Sequence, residues 1–308
     1  MYDLAIIGGG PAGVSAGVYA SRKRLKTVFI AEDFGGQSTV SEEIQNWIGT
    51  PKISGIDLAK SFENHLREYA SDVIDIKTGE RVEKISKNED GTFTITTKKE
   101  TVFQTKAILL AVGSTRRKLT VPGAETFENK GITYCASCDG PLFAGKDVAV
   151  IGGGNAGFET AAQLLAYCNS VTLLHKNATF KADEVTVKKV LSNPKMKSLL
   201  SVDIVEVKGC PFVTALVYKE QASGEIKELS VQGVFVEIGL VPSTSIVKGL
   251  VDLTEYGQIV VNPKTQMSSV PGIWAAGDCT DALYHQNNIA SGDGVKAIED
   301  IYVHLHTK

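Results

Sequence analysis

The chain has 308 residues, 43% hydrophobic and 22% charged, with 30 Gly against 9 Pro and a formal net charge of −3. That length allows about two domains, each able to bury a core, and the aliphatic content excludes a disordered chain. The slightly acidic balance gives no electrostatic basis for binding nucleic acid or an anionic membrane surface, and no apolar run is long enough to predict a membrane span. The leading stretch MYDLAIIGGG lacks the basic lead and apolar core of a signal peptide, and five Cys without a regular framework suit a reducing, cytoplasmic setting.

Residues 3–13, DLAIIGGGPAG, read as a buried parallel strand running through G-x-G-x-x-G into a helix. Gly8, Gly10 and Gly13, with Pro11 and Ala12 between them, would shape a tight turn, admit a pyrophosphate and seat a helix N-terminus against it. The next strand, TVFIAE at 27–32, ends on Glu32, where a carboxylate can accept from ribose hydroxyls. Residues 55–70 are predicted as an amphipathic helix, and 81–86, 92–98 and 101–110 as strands with a hairpin turn at 88–91.

Further along stands CASCDG at 135–140. Two thiols separated by two residues suit a reversible disulfide at a helix start, where the positive end of the dipole stabilises a thiolate. Zinc needs about four ligands; no second C-x-x-C or C-x-x-H pair is present, so no metal is expected. Cys168, Cys210 and Cys279 are expected to be small buried hydrophobes.

Residues 147–157, DVAVIGGGNAG, repeat the first motif at an offset of 144, with Gly152, Gly154 and Gly157 enclosing Asn155 and Ala156. A strand at 171–176, VTLLHK, follows, and the position equivalent to Glu32 is Lys176, beside His175 and shortly before Lys181. A carboxylate repels a 2′-phosphate and Lys attracts it. The first site therefore suits an unphosphorylated adenosine such as that of FAD, and the second suits NADPH. Strands are predicted at 203–207 and 213–219. Last comes GIWAAGDCT at 272–280, a short strand ending in Gly277-Asp278, whose carboxylate can bind a sugar-alcohol hydroxyl of a flavin. Because both this motif and the N-terminal one must touch one flavin, the flavin domain is expected to be discontinuous. The expected fold is α/β with two Rossmann-like dinucleotide-binding domains, the second inserted into the first: 1–115 with 246–308, and 116–245. The stretches 111–123 and 239–245 read as hinges.

On GGGPAG (8–13), GGQ (35–37), IQNWIG (44–49), CASCDG, GGGNAG (152–157) and AAGD (275–278), the chain resembles the low-molecular-weight thioredoxin reductases over essentially its whole length. YCASCDGPLF, VTLLHKNATFKADEV and IGLVPST also resemble the flavoprotein component of bacterial alkyl hydroperoxide reductase. That component has an N-terminal thioredoxin-fold region, whereas here the flavin strand starts at residue 3, so a separate thioredoxin-like or glutaredoxin-like carrier is expected. The resemblance implies FAD and NADPH as cofactors and a homodimer. It makes Cys138 the flavin-proximal thiol, Cys135 the interchange thiol that attacks the partner's disulfide, and Asp139 the acid–base group. It places Gly36, Gln37, Asn46, Val82, Gly113, Asp278 and Gln286 at FAD. Since the cysteine pair and the second nucleotide must reach the same flavin ring, the inserted domain is expected to rotate about the hinges.

Two departures qualify this. The family's H-R-R with a later Arg is here His175-Lys176-Asn177 with Lys181, which keeps charge but not the bidentate fork, so NADH or another donor stays open. His285 stands where the family has Arg before Gln286. The alternatives are an NADH-linked reductase of a glutaredoxin- or peroxiredoxin-type partner, a dithiol oxidase delivering electrons to oxygen, and a non-catalytic FAD-bound redox sensor.

Overall fold

The computed structural model describes residues 1–41 and 44–307. Tyr2–Ile7 (β1) carries the first apolar run and continues through the glycine turn into Pro11–Arg22 (α1). Thr27–Ala31 (β2) is buried at every position, as a strand covered on both faces must be. Gly55–Ala70 (α2) starts on Ser54, whose side chain accepts the Asp57 N–H, and buries Leu58, Phe62 and Leu66 at helical spacing. Ile74–Thr78 (β3), Val82–Lys87 (β4), Phe93–Thr97 (β5) and Val102–Leu110 (β6) follow, with the β4–β5 turn closed by Asn88 N–H to the Thr92 carbonyl. Short Ser114–Arg116 (β7) ends this stretch.

The chain then builds Ile132–Thr133 (β8), Ala136–Asp139 (α3), Asp147–Ile151 (β9), Asn155–Leu164 (α4), Ser170–His175 (β10), Glu184–Leu191 (α5) and Met196–Leu200 (β11). Val202–Gly209 (β12), Val213–Glu220 (β13), Ile226–Ser230 (β14) and Gly233–Val236 (β15) complete that region. Leu240–Pro242 (β16), Ile273–Ala275 (β17) and the helix Asn287–Thr307 (α6) finish the fold.

Contacts divide the described chain into two compact units: 1–41, 47–115 and 241–307 form one, and 116–240 with 44–46 the other. In the first, seven strands run in the order β3-β2-β1-β6-β5-β4, with β17 on β6. The β3-β2-β1-β6 core and β17 are parallel, whereas β4 and β5 are antiparallel additions. The second unit has a parallel sheet, β11-β10-β9-β15-β8, and a separate antiparallel sheet, β12-β13-β14.

The sequence repeat is thus a repeat of strand order: β3-β2-β1-β6 in one unit, β11-β10-β9-β15 in the other. It extends to hydrogen bonds. Gly8 N–H reaches the Ile30 carbonyl and Gly152 N–H the Leu174 carbonyl, both at 2.9 Å. Ala111 N–H reaches Ile7, and Glu237 N–H reaches Ile151, both at 2.8 Å.

Residues 241–245 belong to the first unit rather than to the inserted one. The reason is local: Ser243 N–H bonds the Gly113 carbonyl at 3.0 Å, and Val247 is buried with Val251, Ile259 and Ile273 in the first unit's core. The crossings themselves are regular, because β16 pairs with β7.

Helix α6 has no counterpart among the predicted elements. Its glycines argue against a helix on propensity, yet Gly294 is there for contact: a Cβ would meet the Ala12 carbonyl oxygen of α1 at 2.2 Å. Gly292, by contrast, has nothing within 4 Å. Gly294→Ala should therefore lower stability by about 1–3 kcal/mol through overpacking, while Gly292→Ala should raise it by about 0.5–1 kcal/mol. Thermal melts of the two variants with equal FAD content check this; equal shifts would contradict the close packing.

Candidate active site

The first glycine turn opens a cleft of about 540 Å³, a usual size for a ligand site. Gly8 has φ +119°, and a Cβ there would strike the Ala111 carbonyl oxygen at 2.1 Å. Gly13 is equally constrained, since its Cβ would meet the Gly8 carbonyl oxygen at 1.9 Å. Gly10 differs. Its backbone is extended, with φ −77° and ψ −176°, and nothing lies within 4 Å of its would-be Cβ. That space sits over the first turn of α1, which has no side-chain cap, so its N–H groups are available to an anion. A dinucleotide pyrophosphate fits such a cradle.

The cleft gathers most residues expected at the flavin: Gly8, Gly10, Pro11, Ala12, Glu32, Gly36, Gln37, Val82, Gly113 and Asp278. Glu32 is exposed just past β2, with Arg81 at 3.7 Å, an exposed pair of small energetic weight. Gln37 donates through Nε2 to the Ser114 carbonyl, and Ser38 donates to Asn287 Oδ1 at 3.0 Å, at the start of α6. Gly277, with φ +75°, brings Asp278 to the cleft; its Cβ would meet Ala290 and Ala12 at 3.2 and 3.3 Å. Gly13, Asn46, His285 and Gln286 lie outside the lining. Gly13 packs under the helix, against the Gly8 carbonyl.

The second turn repeats this construction. A Cβ on Gly152 (φ +130°) would meet the Glu237 carbonyl oxygen at 2.1 Å, one on Gly157 the Gly152 carbonyl oxygen at 2.0 Å, and one on Gly154 nothing within 4 Å. Helix α4 likewise has no side-chain cap. Asn155 and Ala156 are exposed in its first turn, and Asn155 Oδ1 accepts the Asp183 N–H at 2.9 Å. Lys176 and Lys181 are exposed, but His175 is not: at 8% exposure it packs beneath Gly153. Burial holds its imidazole below the ordinary pKa, and Lys176 and Lys181 add to that.

The cysteine pair stands in the same unit. Cys135 and Cys138 form a disulfide with Cα atoms 5.3 Å apart, an ordinary span for the bond. Cys135 caps α3, and its sulfur accepts the Cys138 N–H at 3.2 Å. Thr133, not singled out from the sequence, joins the group. Its hydroxyl donates to Asp139 Oδ2 and accepts the Cys135 N–H at 3.3 Å. Gly140 lies behind the pair, where a Cβ would displace the Tyr167 hydroxyl, 2.1 Å from it.

A second residue that sequence patterning missed is Glu237. Its carboxyl accepts from Thr160 Oγ1 at 2.9 Å, and burial raises its pKa, opposed by Arg116 and by the Thr160 bond. Two of the three remaining cysteines are buried as expected, and Cys210 is not. It occupies the tight β12–β13 hairpin, its N–H on the Phe212 carbonyl at 3.0 Å, where a turn tip faces solvent.

Burial pushes the Cys168 thiol up to about 11 and the Cys279 thiol up to about 12. Alkylation of the oxidised protein at pH 8 should therefore modify Cys210 alone, and prior reduction should add Cys135 and Cys138. Peptide mass spectrometry reads this; rapid labelling of Cys279 would contradict its burial.

A family model described as pyridine nucleotide-disulphide oxidoreductase matches residues 2–294. An NADH dehydrogenase of Bacillus subtilis (strain 168) is 42% identical over 96% of the chain and 57% of its own length. The alkyl hydroperoxide reductase F subunit of Xanthomonas campestris pv. phaseoli is 40% identical over 99% of the chain and 57% of its own length. The chain thus spans a little over half of these curated relatives. Among solved structures, the thioredoxin reductase from Giardia duodenalis aligns with a TM-score of 0.91 and 32% identity, over 99% of the chain and 98% of that structure. That of Streptococcus pyogenes MGAS5005 gives 0.89 and 30%, over 100% and 99%. A match that runs from β1 into α6 takes in both glycine turns and the cysteine pair between them, and the chain belongs to the pyridine nucleotide-disulphide oxidoreductases.

Proposed function

We propose that the chain is a disulfide reductase that takes electrons from a pyridine nucleotide, NADPH in the first place. They pass by way of FAD to the Cys135–Cys138 disulfide, and on to a thioredoxin-like or glutaredoxin-like protein. The observation that carries this is the disulfide itself, closed at a helix start with Asp139 held on Thr133 beside it.

The open turn at Gly10 and the first turn of α1 would hold the FAD pyrophosphate, Glu32 its adenosine ribose, and Asp278 a hydroxyl of its sugar-alcohol chain. Bound there, FAD supplies a two-electron relay between a hydride donor and a disulfide. Two electrons and two protons open the Cys135–Cys138 bond to the dithiol. Cys135 as thiolate attacks one sulfur of the partner's disulfide, and the departing sulfur takes a proton that Asp139 handles. Cys138 then attacks Cys135 Sγ, releases the partner's second thiol and restores the internal bond. Two electrons and two protons have moved to the partner, and the chain is again oxidised.

Lys176 and Lys181, exposed on either side of the loop that follows β10, support NADPH as the donor. A second reading has its own support: relatives named for the F subunit of alkyl hydroperoxide reductase or as NADH dehydrogenase are 40% and 42% identical, above the 30% and 32% of the thioredoxin reductase structures. In that reading NADH is the donor and a peroxiredoxin-type protein the acceptor.

Anaerobic titration of the FAD-loaded protein with each nucleotide separates these readings. Bleaching by NADPH at lower concentration than NADH supports the first, and the reverse order the second. Bleaching by neither sinks both. Cys138→Ser should leave bleaching intact and abolish reduction of the disulfide partner. Asp139→Asn should slow partner reduction by about 10²-fold, the usual weight of a positioned acid–base group, without altering the bleaching; an unchanged partner rate would exclude it from proton transfer.

A further inference from the structure

Gly153 is held from both sides. Its carbonyl accepts the Lys181 N–H at 2.8 Å, and its own N–H donates to His175 Nδ1 at 3.1 Å. The imidazole lies so close that a Cβ on Gly153 would meet its Cγ at 2.5 Å. Phe180 stacks on the ring at a centroid distance of 6.0 Å and an angle of 27°. The first turn is built differently. There Gly9 gives its carbonyl to the Gly35 N–H at 2.9 Å, and its would-be Cβ meets the Asp33 carbonyl oxygen at 2.0 Å. A backbone carbonyl does not titrate; an imidazole does.

We propose that His175 is a positioning residue: as a neutral imidazole protonated on Nε2, it holds Gly153 so that Gly154 keeps the open turn that receives a pyridine nucleotide's pyrophosphate. This rests on the second turn being the pyridine-nucleotide site. The sequence pattern places His175 among the ligands; its geometry places it underneath them.

The chemistry follows from the donor–acceptor inventory. Nδ1 accepts only while it carries no proton, and the imidazolium is a donor at both nitrogens. Protonation would set two N–H groups against each other and release Gly153. The charges that act on the ring are Lys176, next along the chain, and Lys181, whose N–H is on the same glycine. Burial favours the neutral form, the Thr179 backbone opposes it, and the two lysines favour it again. The required state is therefore present at neutral pH and lost as pH falls through a pKa below the ordinary histidine value. Nucleotide affinity should carry an acid limb whether or not the nucleotide bears a 2′-phosphate.

The test uses FAD-loaded protein and calorimetric titration with NADP⁺ and with NAD⁺, for the wild type, His175→Asn and His175→Phe. Asn can offer Oδ1 where Nδ1 stands, whereas Phe keeps a ring without an acceptor. Loss of one hydrogen bond to a positioned amide predicts about tenfold weaker binding for His175→Phe, with His175→Asn within about threefold of the wild type. As pH is lowered past the ordinary histidine range the wild type should lose affinity for NAD⁺, and His175→Asn should lack that limb. FAD content and melting temperature report whether each variant is folded. Nitrogen-15 NMR of the wild type should show His175 as the neutral Nε2–H tautomer at pH 7.5, a readout independent of nucleotide. Binding by His175→Phe equal to the wild type, or an Nδ1-protonated His175, would overturn the proposal while leaving the nucleotide site standing. A wild type that binds neither nucleotide would overturn both.

Discussion

In both units a helix rests on the carbonyl of the glycine that ends the preceding strand, at a distance no side chain could survive. Gly13 sits on Gly8 and Gly157 on Gly152, and a Cβ at either upper glycine would lie only 1.9 and 2.0 Å from that oxygen, far inside any non-bonded contact. That single approach aims the first turn of each helix across the strand ends, leaves Gly10 and Gly154 open, and fixes where a pyrophosphate can lie. The strand order on either side, and the hydrogen bonds that recur between the two units, are consequences of building the same approach twice. The family is that of the pyridine nucleotide-disulphide oxidoreductases, and the two turns are the parts of the chain suited to hold dinucleotides.

Around the cysteine pair the controlling interaction is smaller. One hydroxyl, Thr133 Oγ1, ties the Asp139 carboxyl to the backbone of Cys135. The carboxyl is thereby anchored to strand β8 as well as to the four-residue helix α3 that carries it. Behind the helix, Gly140 lies against the end of the Tyr167 side chain.

The glycine turns, the strands beside them and the cysteine pair were legible because each depends on residues close in sequence. Periodicity and spacing report such features directly. What stayed hidden depends on pairs far apart. Gly294 looks like a helix breaker until α1 is placed against it, and Thr133 looks like an ordinary strand residue until Asp139 folds back. His175 adjoins Lys176 in sequence, but that its ring meets the Gly153 N–H is a tertiary fact that no local pattern carries. Cys210 read as buried because thiols usually are, and its place in a hairpin tip overrode that preference. Ser243 and Val247 declare their unit only through long-range partners, so the crossing back near residue 241 has no local sequence mark.

The pairing of β7 with β16 carries a consequence for the chain's connectivity. The strand that leaves the first unit and the strand that returns to it are hydrogen-bonded neighbours, and Arg117 N–H meets the Gly239 carbonyl at 3.0 Å just past them. Bringing together the ends of a long unstructured loop costs conformational entropy that grows with the logarithm of its length. A folded insert whose own ends already meet removes most of that cost in advance. Seen from the first unit, everything between Arg116 and Leu240 closes the chain as a short hairpin turn would, so β17 can return to the edge of β6 as though it were nearby in sequence.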